Sequence, residues 1–209
     1  FSMVLPGRLN TDLVAGLLGE GVDAVGLSGV DGGLLTGPRK SAIRVVEGDR
    51  RKVRRGEHSG RIESVNADLL DLLLEAGYTP VVTVPMLGDD GTPVNADADR
   101  AAAAVAGALG ARLVVLTDVE GVYADPDDPA TRFERVDAPE GFAALEAAAE
   151  GFMTKKVMAA REALAGGARA VVVADANAAD PVRSALAGGG TRVLPAALDG
   201  AGDAEGDTQ

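Results

Sequence analysis

The sequence predicts an α/β protein whose mostly parallel sheet is covered by helices on both faces. Three observations support this class. Short strand-like apolar runs alternate along the chain with longer runs of helical period, and this alternation is typical of parallel strands joined by crossover helices. The run Leu113 to Thr117 is apolar almost throughout, as expected of a strand buried on both faces. Several predicted strands end in polar turns containing glycine, where open α/β sheets bind ligands.

In the first half of the chain, leucine and valine at helical spacing predict helices, and short apolar runs predict strands. Ser64 precedes one leucine stripe and is a candidate helix cap. Gly48, Asp49 and Arg50 separate two strand-like runs, a pattern that predicts a hairpin. The predicted elements are helices over 10–18 and 64–76, strands over 24–28 and 79–85, and a hairpin of 43–47 with 52–55.

In the second half, a run of small alanine side chains predicts a helix that can lie close to the sheet, and the paired glycines Gly166 and Gly167 end another helix. Residues 198–209 show no hydrophobic pattern, so we predict a disordered acidic tail. The predicted elements are helices over 97–110, 139–149, 154–166 and 180–186, and strands over 112–117, 170–174 and 191–194.

Composition limits the classes of protein that this chain belongs to. The 209 residues contain no cysteine and one histidine, His58, which excludes disulfides, thiol catalysis and metal sites built from thiolates or from several histidines. No apolar run approaches the roughly 20 residues that span a bilayer, and no basic flank with a hydrophobic run and cleavage site opens the sequence. We therefore predict a soluble, cytoplasmic protein without a membrane partner.

The chain carries a net charge of −12, with four lysines against sixteen arginines. Such an acidic chain repels the phosphate backbone, so nucleic acid is not an expected partner. Scarce lysine, abundant acidic residues and few aromatics suggest a halophilic protein, with ordinary acidic solubility as the alternative. Melting temperatures measured across a salt series separate the two, since indifference to salt would remove the halophilic interpretation.

One segment reverses the sign of the charge. Residues 39–61 contain nine basic and three acidic side chains, a net +6, so the remaining chain carries −18. This segment is a candidate docking surface for an acidic macromolecule or an anionic substrate, and a solvated hairpin is the alternative. The hypothesis of docking rests on four arginines of this segment, Arg50, Arg51, Arg54 and Arg55.

Three segments with charged side chains are the most informative about function. Asn95, Asp97 and Asp99 stand at the entrance of the predicted helix 97–110, where side-chain oxygens either cap the helix or bind a ligand. The strand 112–117 runs into Asp118 and a glycine turn ending in Tyr123; a capped turn and a core aromatic are the alternatives. Two of the four lysines, Lys155 and Lys156, open the predicted helix 154–166, and a solvated helix face is the alternative.

Taken in order, three motifs resemble those of the amino-acid kinase family, specifically its acetylglutamate kinase branch. Within the branch, the chain resembles the archaeal form that phosphorylates glutamate or α-aminoadipate attached to the acidic carrier protein LysW. The resemblance covers essentially residues 1 to 195. The motifs are Asn95-Ala-Asp97-Ala-Asp99-Arg, Leu116-Thr-Asp118-Val-Glu-Gly121-Val-Tyr123 and Gly151-Phe-Met153-Thr-Lys155-Lys156-Val.

This resemblance implies a three-layer α/β/α sandwich with a mostly parallel central sheet, of the amino-acid kinase type. It implies one domain over residues 1–197, with a substrate-side part over about 1–95 and a nucleotide-side part over about 96–197. ATP with Mg²⁺ would phosphorylate a side-chain carboxylate and give an acyl phosphate in lysine or arginine biosynthesis. The expected partner is LysW, or small-molecule acetylglutamate as the acceptor, and the expected assembly is a homodimer.

The resemblance also implies roles for individual residues. Asn95 matches the substrate-binding asparagine, Asp99 the aspartate that orients catalytic lysines, and Lys156 the lysine that stabilises the transferring phosphoryl group. Gly60, Ile62 and Asn66 fall where the family covers its substrate, and 148–150 where it makes a further nucleotide contact. The implied nucleotide-binding residues are Asp118, Val119, Gly121, Val122 and Tyr123.

One departure from the family concerns its first strands, which carry a lysine, a Gly-Gly phosphate loop and an arginine that clamps the substrate. None of these is present before Phe1, so we expect an N-terminal truncation and little or no turnover from these 209 residues alone. Two alternatives to the carrier-bound substrate stay open: a kinase for free N-acetylglutamate, and a truncated nucleotide-binding module without catalysis. A non-enzymatic dimerisation domain would leave Asn95, Asp99 and Lys156 without a purpose.

Overall fold

The computed structural model describes residues 3–40, 42–47, 50–55 and 58–199, with the backbone alone over 42–47 and 50–55. The chain divides into two compact units, Phe1–Ala101 and Ala102–Gln209. Each unit contains its own sheet with flanking helices. The predicted class, α/β with mostly parallel sheets, is therefore confirmed. The prediction of a single domain over 1–197 stays a prediction.

The first unit begins with a π-helix over Met3–Leu9 and contains a 3₁₀ turn at Asp31–Gly33. Its helices and strands are α1 (Asn10–Gly19), β1 (Ala24–Gly29), β2 (Leu35–Gly37), β3 (Ala42–Glu47), β4 (Arg50–Arg55), β5 (Ser64–Val65), α2 (Ala67–Glu75), β6 (Thr79–Gly88) and β7 (Pro93–Val94).

Strand β6 organises the sheet of this unit. It pairs in parallel with β1 from Ala24↔Thr79 onward and with β2 at Thr36↔Leu87, whereas β7 returns antiparallel to it. Long apolar side chains of these strands, of helix α2 and of the residue before β2 are buried together and form the core. The largest of them are Leu34, Leu35, Leu70, Met86 and Val94.

The predicted hairpin is confirmed. Strands β3 and β4 pair antiparallel from Ala42↔Arg55 to Glu47↔Arg50 and form a two-stranded sheet of their own. The side chains of the four candidate docking arginines lie outside the described part of the structure, so their role stays a prediction.

Helix α3 (Ala98–Ala108) leads the chain into the second unit. The unit also contains 3₁₀ turns at Pro129–Thr131 and Pro195–Leu198. Its other elements are β8 (Arg112–Thr117), β9 (Arg135–Val136), α4 (Pro139–Ala148), α5 (Phe152–Ala165), β10 (Ala170–Asp175), α6 (Pro181–Leu186) and β11 (Thr191–Val193).

The sheet of the second unit has the order β8-β10-β11-β9. Strands β8 and β10 are parallel from Arg112↔Ala170 to Thr117↔Asp175, and β11 runs antiparallel to β10. The core between this sheet and its helices contains Phe142, Leu145, Val171, Val173 and Val193, each at most 1% exposed.

Small residues let α3 approach the end of α5, a contact between helices that the alanine run did not predict. A Cβ atom added to Gly107 of α3 would lie 3.0 Å from the carbonyl oxygen of Gly166, which follows α5. Ala103 and Ala106 of α3 are also buried in the core. The close approach therefore depends on the absence of side-chain atoms along this face.

Two sequence predictions about helix starts are wrong. Helix α2 begins at Ala67 and is capped by Asn66, whose Oδ1 accepts the N–H of Leu69 over 3.3 Å. Ser64 is not the cap, because it belongs to β5 and pairs with Thr36. Helix α5 begins at Phe152, two residues before the predicted start, so Lys155 and Lys156 lie one turn inside the helix.

The predicted tail mostly lies outside the described residues. Its first residue, Leu198, ends the turn Pro195–Leu198 and packs against the core of the second unit. Residues 200–209 are not described, so disorder there stays a prediction.

Candidate functional site

In the first unit, Asn95 combines an exposed side chain with a firmly held backbone. Its N–H donates to the carbonyl of His58 over 2.6 Å, and its own carbonyl accepts the N–H of Gly60 over 2.7 Å. Gly60 is buried, and a Cβ atom there would lie 2.8 Å from Met86 Sδ. A side chain at residue 60 would displace Met86 and Val94, so glycine lets the segment 58–60 pack closely there and hold the backbone from which the Asn95 amide reaches solvent.

The two aspartates at the start of α3 have different surroundings. Asp97 Oδ1 accepts the backbone N–H groups of Asp99 and Arg100 over 3.1 and 3.3 Å, so Asp97 caps the helix. Asp99 lies half-buried in the first helical turn. The capping interpretation of the cluster thus holds for Asp97, while the catalytic role of Asp99 stays a prediction.

A glycine turn follows β1 and is fixed at both ends. Asp31 Oδ2 accepts the backbone N–H and the hydroxyl of Ser28 over 2.7 and 2.9 Å. The side-chain nitrogen of Asn66 donates to the carbonyl of Gly32 over 2.9 Å, a residue with φ of +59° that suits glycine. Asn66 therefore caps α2 and holds this turn together, which sequence reasoning missed. An Asn directly before a helix with an acidic first turn was the available signal.

In the second unit, the parallel strands β8 and β10 end side by side at Thr117 and Asp175. Asp118 follows β8 at this edge, is exposed, and accepts the hydroxyl of Thr117 over 3.1 Å. Val119 beside it is 37% exposed. The carboxyl edge of an open α/β sheet is where ligands bind, so the exposed residues of this segment are well placed to meet a ligand, while nucleotide binding stays a prediction.

The chain then turns inward at Gly121 and Val122, which are buried, and emerges at the half-buried Tyr123. Partial burial raises the pKa of the Tyr123 phenol above its usual value, and the negative charge of the Glu120 carboxylate raises it further. The phenol is thus protonated at neutral pH and donates to Glu120 Oε2 over 3.4 Å. Glu120 also lies 3.7 Å from Arg132. These contacts make Tyr123 a turn residue and not a core aromatic.

Lys155 is exposed and Lys156 half-buried in the first half of α5. Helix α5 packs on β10 and joins it through the short turn that begins at Gly166. A helix joined in this way runs back along the strand, so its first turns lie at the level of the carboxyl ends of β10 and β8. The topology therefore predicts that Lys156 lies toward the same edge of the second unit as Asp118.

Asn95 and Asp99 belong to the first unit, and Asp118 to Tyr123 and Lys156 to the second. Each group has the geometry described above within its own unit. That the two groups serve one triphosphate stays a prediction.

The sequence model of the amino acid kinase family matches residues 2–175, most of the chain. The chain belongs to the amino acid kinase family. A LysW-aminoadipate kinase of Thermus thermophilus is 46% identical to this family member over 199 residues, covering 92% of this chain and 72% of the relative. An acetylglutamate kinase of Methanopyrus kandleri is 49% identical over 174 residues, covering 82% of this chain and 68% of the relative.

Among solved structures, this amino acid kinase family member is similar to an N-acetylglutamate synthase from Neisseria gonorrhoeae in complex with coenzyme A and N-acetyl-glutamate. The TM-score is 0.72 at 25% sequence identity, over 90% of this chain. The chain spans 41% of that synthase chain, and 66% of a LysW-aminoadipate kinase of Deinococcus radiodurans.

These similarities confirm the predicted family and fold. They also confirm the prediction of a kinase, because the family model and the names of the similar relatives both describe kinases. Within the described residues, no helix is both long and apolar enough to cross a membrane. The cytoplasmic location, the homodimer and the halophilic character stay predictions.

Proposed function

We propose that the protein uses ATP to phosphorylate the side-chain carboxylate of an amino-blocked glutamate or α-aminoadipate carried on LysW, giving an acyl phosphate for lysine or arginine biosynthesis. The observation that carries the proposal is 46% identity, over 92% of this chain, to a relative named LysW-aminoadipate kinase. An acidic carrier protein also complements the net charge of +6 of residues 39–61.

The chemistry of the proposed reaction agrees with the side chains present. A carboxylate acceptor is already ionised at neutral pH, so the reaction needs no general base. The one histidine of the sequence, His58, accepts the N–H of Asn95 with its backbone carbonyl, and the proposal gives its imidazole no role. What phosphoryl transfer needs is positive charge on the equatorial oxygens and in-line positioning. Lys156 supplies a compact positive charge at an edge where a nucleotide fits.

In this proposal, the exposed amide of Asn95 binds the acceptor and Asp99 orients the cationic groups around the phosphoryl group. The segment from Asp118 to Tyr123 binds ATP, with Mg²⁺ held by the nucleotide phosphates. A second candidate function is kinase activity on free N-acetylglutamate, which the 49% identity to an acetylglutamate kinase favours.

The choice of acceptor is tested with the full-length gene product. Initial rates are measured with ATP and with LysW-linked aminoadipate, LysW-linked glutamate or free N-acetylglutamate. We expect kcat/KM for one or both carrier-bound acceptors to exceed that for the free acceptor by about a hundredfold or more, since a charged protein surface adds to the association rate. A higher kcat/KM for free N-acetylglutamate would support the second candidate.

Docking of the carrier predicts a specific effect of four hairpin arginines. Replacing Arg50, Arg51, Arg54 and Arg55 by alanine is expected to lower kcat/KM for the carrier-bound acceptor about tenfold or more at low salt, because rim charges mainly set the association rate. ATP affinity should not change.

A matched variant controls for the loss of four positive charges. It carries alanine at the exposed Arg8, Arg112, Arg169 and Arg183. Equal losses in the two variants, or an unchanged rate for the hairpin variant at low salt, would rule out docking at the hairpin.

A further inference from the structure

The segment Asp118 to Tyr123, which we propose binds the nucleotide, is hydrogen-bonded on its buried side to Thr191, a residue distant in sequence. The backbone N–H of Val122 donates to Thr191 Oγ1 over 2.8 Å, across 69 positions of sequence. The Thr191 hydroxyl in turn donates to the carbonyl of Val122 over 3.4 Å. Thr191 is 0% exposed and Val122 is 2% exposed, so water does not replace these contacts if the hydroxyl is removed.

Two glycines make this approach fit. A Cβ atom on Gly121 would lie 2.6 Å from Thr191 Oγ1, closer than such atoms come in proteins. Gly190, the residue before Thr191, has φ of +90°, and a Cβ atom there would overlap the carbonyl oxygen of Val173 on β10. The backbone on both sides of the hydroxyl is therefore shaped to bring Thr191 and Val122 together.

Thr191 does not reach a ligand itself. It is the first residue of β11, paired with Val173, and none of its surface is exposed. Val193, two positions further along β11, is equally buried and belongs to the hydrophobic core. Because residues two apart on a strand share a face, the Thr191 hydroxyl lies on the same buried face of β11 as the apolar Val193.

We propose that Thr191 is a positioning residue for the nucleotide. Its hydroxyl fixes the backbone of Val122, and through it the exposed residues that follow β8 on one side and the Tyr123 phenol on the other. This inference rests on the proposed function, because it assigns the segment Asp118 to Tyr123 to ATP. It adds that the shape of this segment is set by β11.

The test compares three variants of the full-length gene product by ATP titration calorimetry, steady-state kinetics and thermal melting. Thr191→Val keeps the side-chain shape and removes the hydroxyl, whereas Thr191→Ser keeps the hydroxyl. Val193→Ala is the matched control, since it weakens the same strand and core and leaves the hydrogen bonds between Thr191 and Val122 in place. Binding is measured at a temperature where all three variants are folded.

We expect Thr191→Val to raise the Kd and KM for ATP about tenfold, the effect of one buried N–H left without a partner. The KM for the acceptor should not change. Thr191→Ser should restore ATP binding to within about twofold, and Val193→Ala should lower the melting temperature while leaving ATP binding as in the wild type.

Two results would overturn the inference. One is wild-type ATP affinity in Thr191→Val. The other is an equal loss of ATP affinity in folded Val193→Ala, which would show that any weakening of β11 has this effect. Failure of the proposed function is distinguishable from both, because the wild-type protein would then fail to bind ATP or to phosphorylate any acceptor.

Discussion

Replacing Lys156 by methionine is expected to lower kcat for phosphoryl transfer by about a hundredfold to a thousandfold. Methionine keeps much of the length of the side chain and removes its charge. The lysine is proposed to stabilise negative charge that develops on the transferring phosphoryl group, and loss of one such group in a preorganised site costs about this much in rate. The Kd for ATP, measured by titration, should rise far less than kcat falls, because the charge acts mainly in the transition state.

Lys155→Met is the matched control for this prediction. Lys155 is the preceding residue of the same helix and is exposed, whereas Lys156 is half-buried. Neighbouring positions of a helix point about 100° apart, so both lysines are not expected to meet the same phosphoryl group. Equal losses of kcat in the two variants, or full activity in Lys156→Met, would remove Lys156 from the proposed mechanism.

Replacing Asp99 by asparagine is the second change with a large expected effect. We expect kcat to fall about a hundredfold, since the carboxylate is proposed to orient cationic groups around the phosphoryl group and the amide lacks its charge. Stability should change little, because loss of one negative charge in the first turn of a helix costs about 0.3–1 kcal/mol. Kinetics and chemical denaturation of the same preparation measure both effects.

Asp97→Ala tests whether Asp97 caps the helix while Asp99 is the catalytic carboxylate. Asp97 holds the N–H groups of Asp99 and Arg100, so its loss is expected to lower the free energy of unfolding by about 1 kcal/mol. Activity of the folded variant should stay near that of the wild type. If Asp97→Ala lost activity and Asp99→Asn lost only stability, the assignment of cap and catalytic carboxylate would be reversed.

The long elements of the fold follow from the sequence because their patterns are local. Apolar runs and leucine stripes predict β1, β6, β8, β10 and the helices within a few residues of their ends. The three-residue strand β11 was predicted as 191–194, whereas the two- and three-residue strands β2, β5, β7 and β9 were not, since segments of this length carry little periodic signal. Their existence depends on pairing with strands that are distant in sequence, such as Thr36 with Leu87.

The site, too, contains residues that the sequence identifies and residues that only the folded structure reveals. Asn95, Asp99 and Lys156 are singled out by the resemblance of three motifs, taken in order, to the amino-acid kinase family. Asn66 and Thr191 act through backbone groups 34 and 69 positions away. Nothing in the local sequence shows which carbonyl or N–H such a side chain meets, so their contacts emerge only from the folded chain.

The measurement that tests the central claim most directly is capture of the product. The full-length gene product is incubated with ATP, an acceptor carboxylate and hydroxylamine, which converts an acyl phosphate into a stable hydroxamate. The account predicts hydroxamate that requires ATP and the acceptor and that falls with kcat in Lys156→Met. A protein that binds ATP yet forms no hydroxamate with carrier-bound glutamate, carrier-bound aminoadipate or N-acetylglutamate would contradict it.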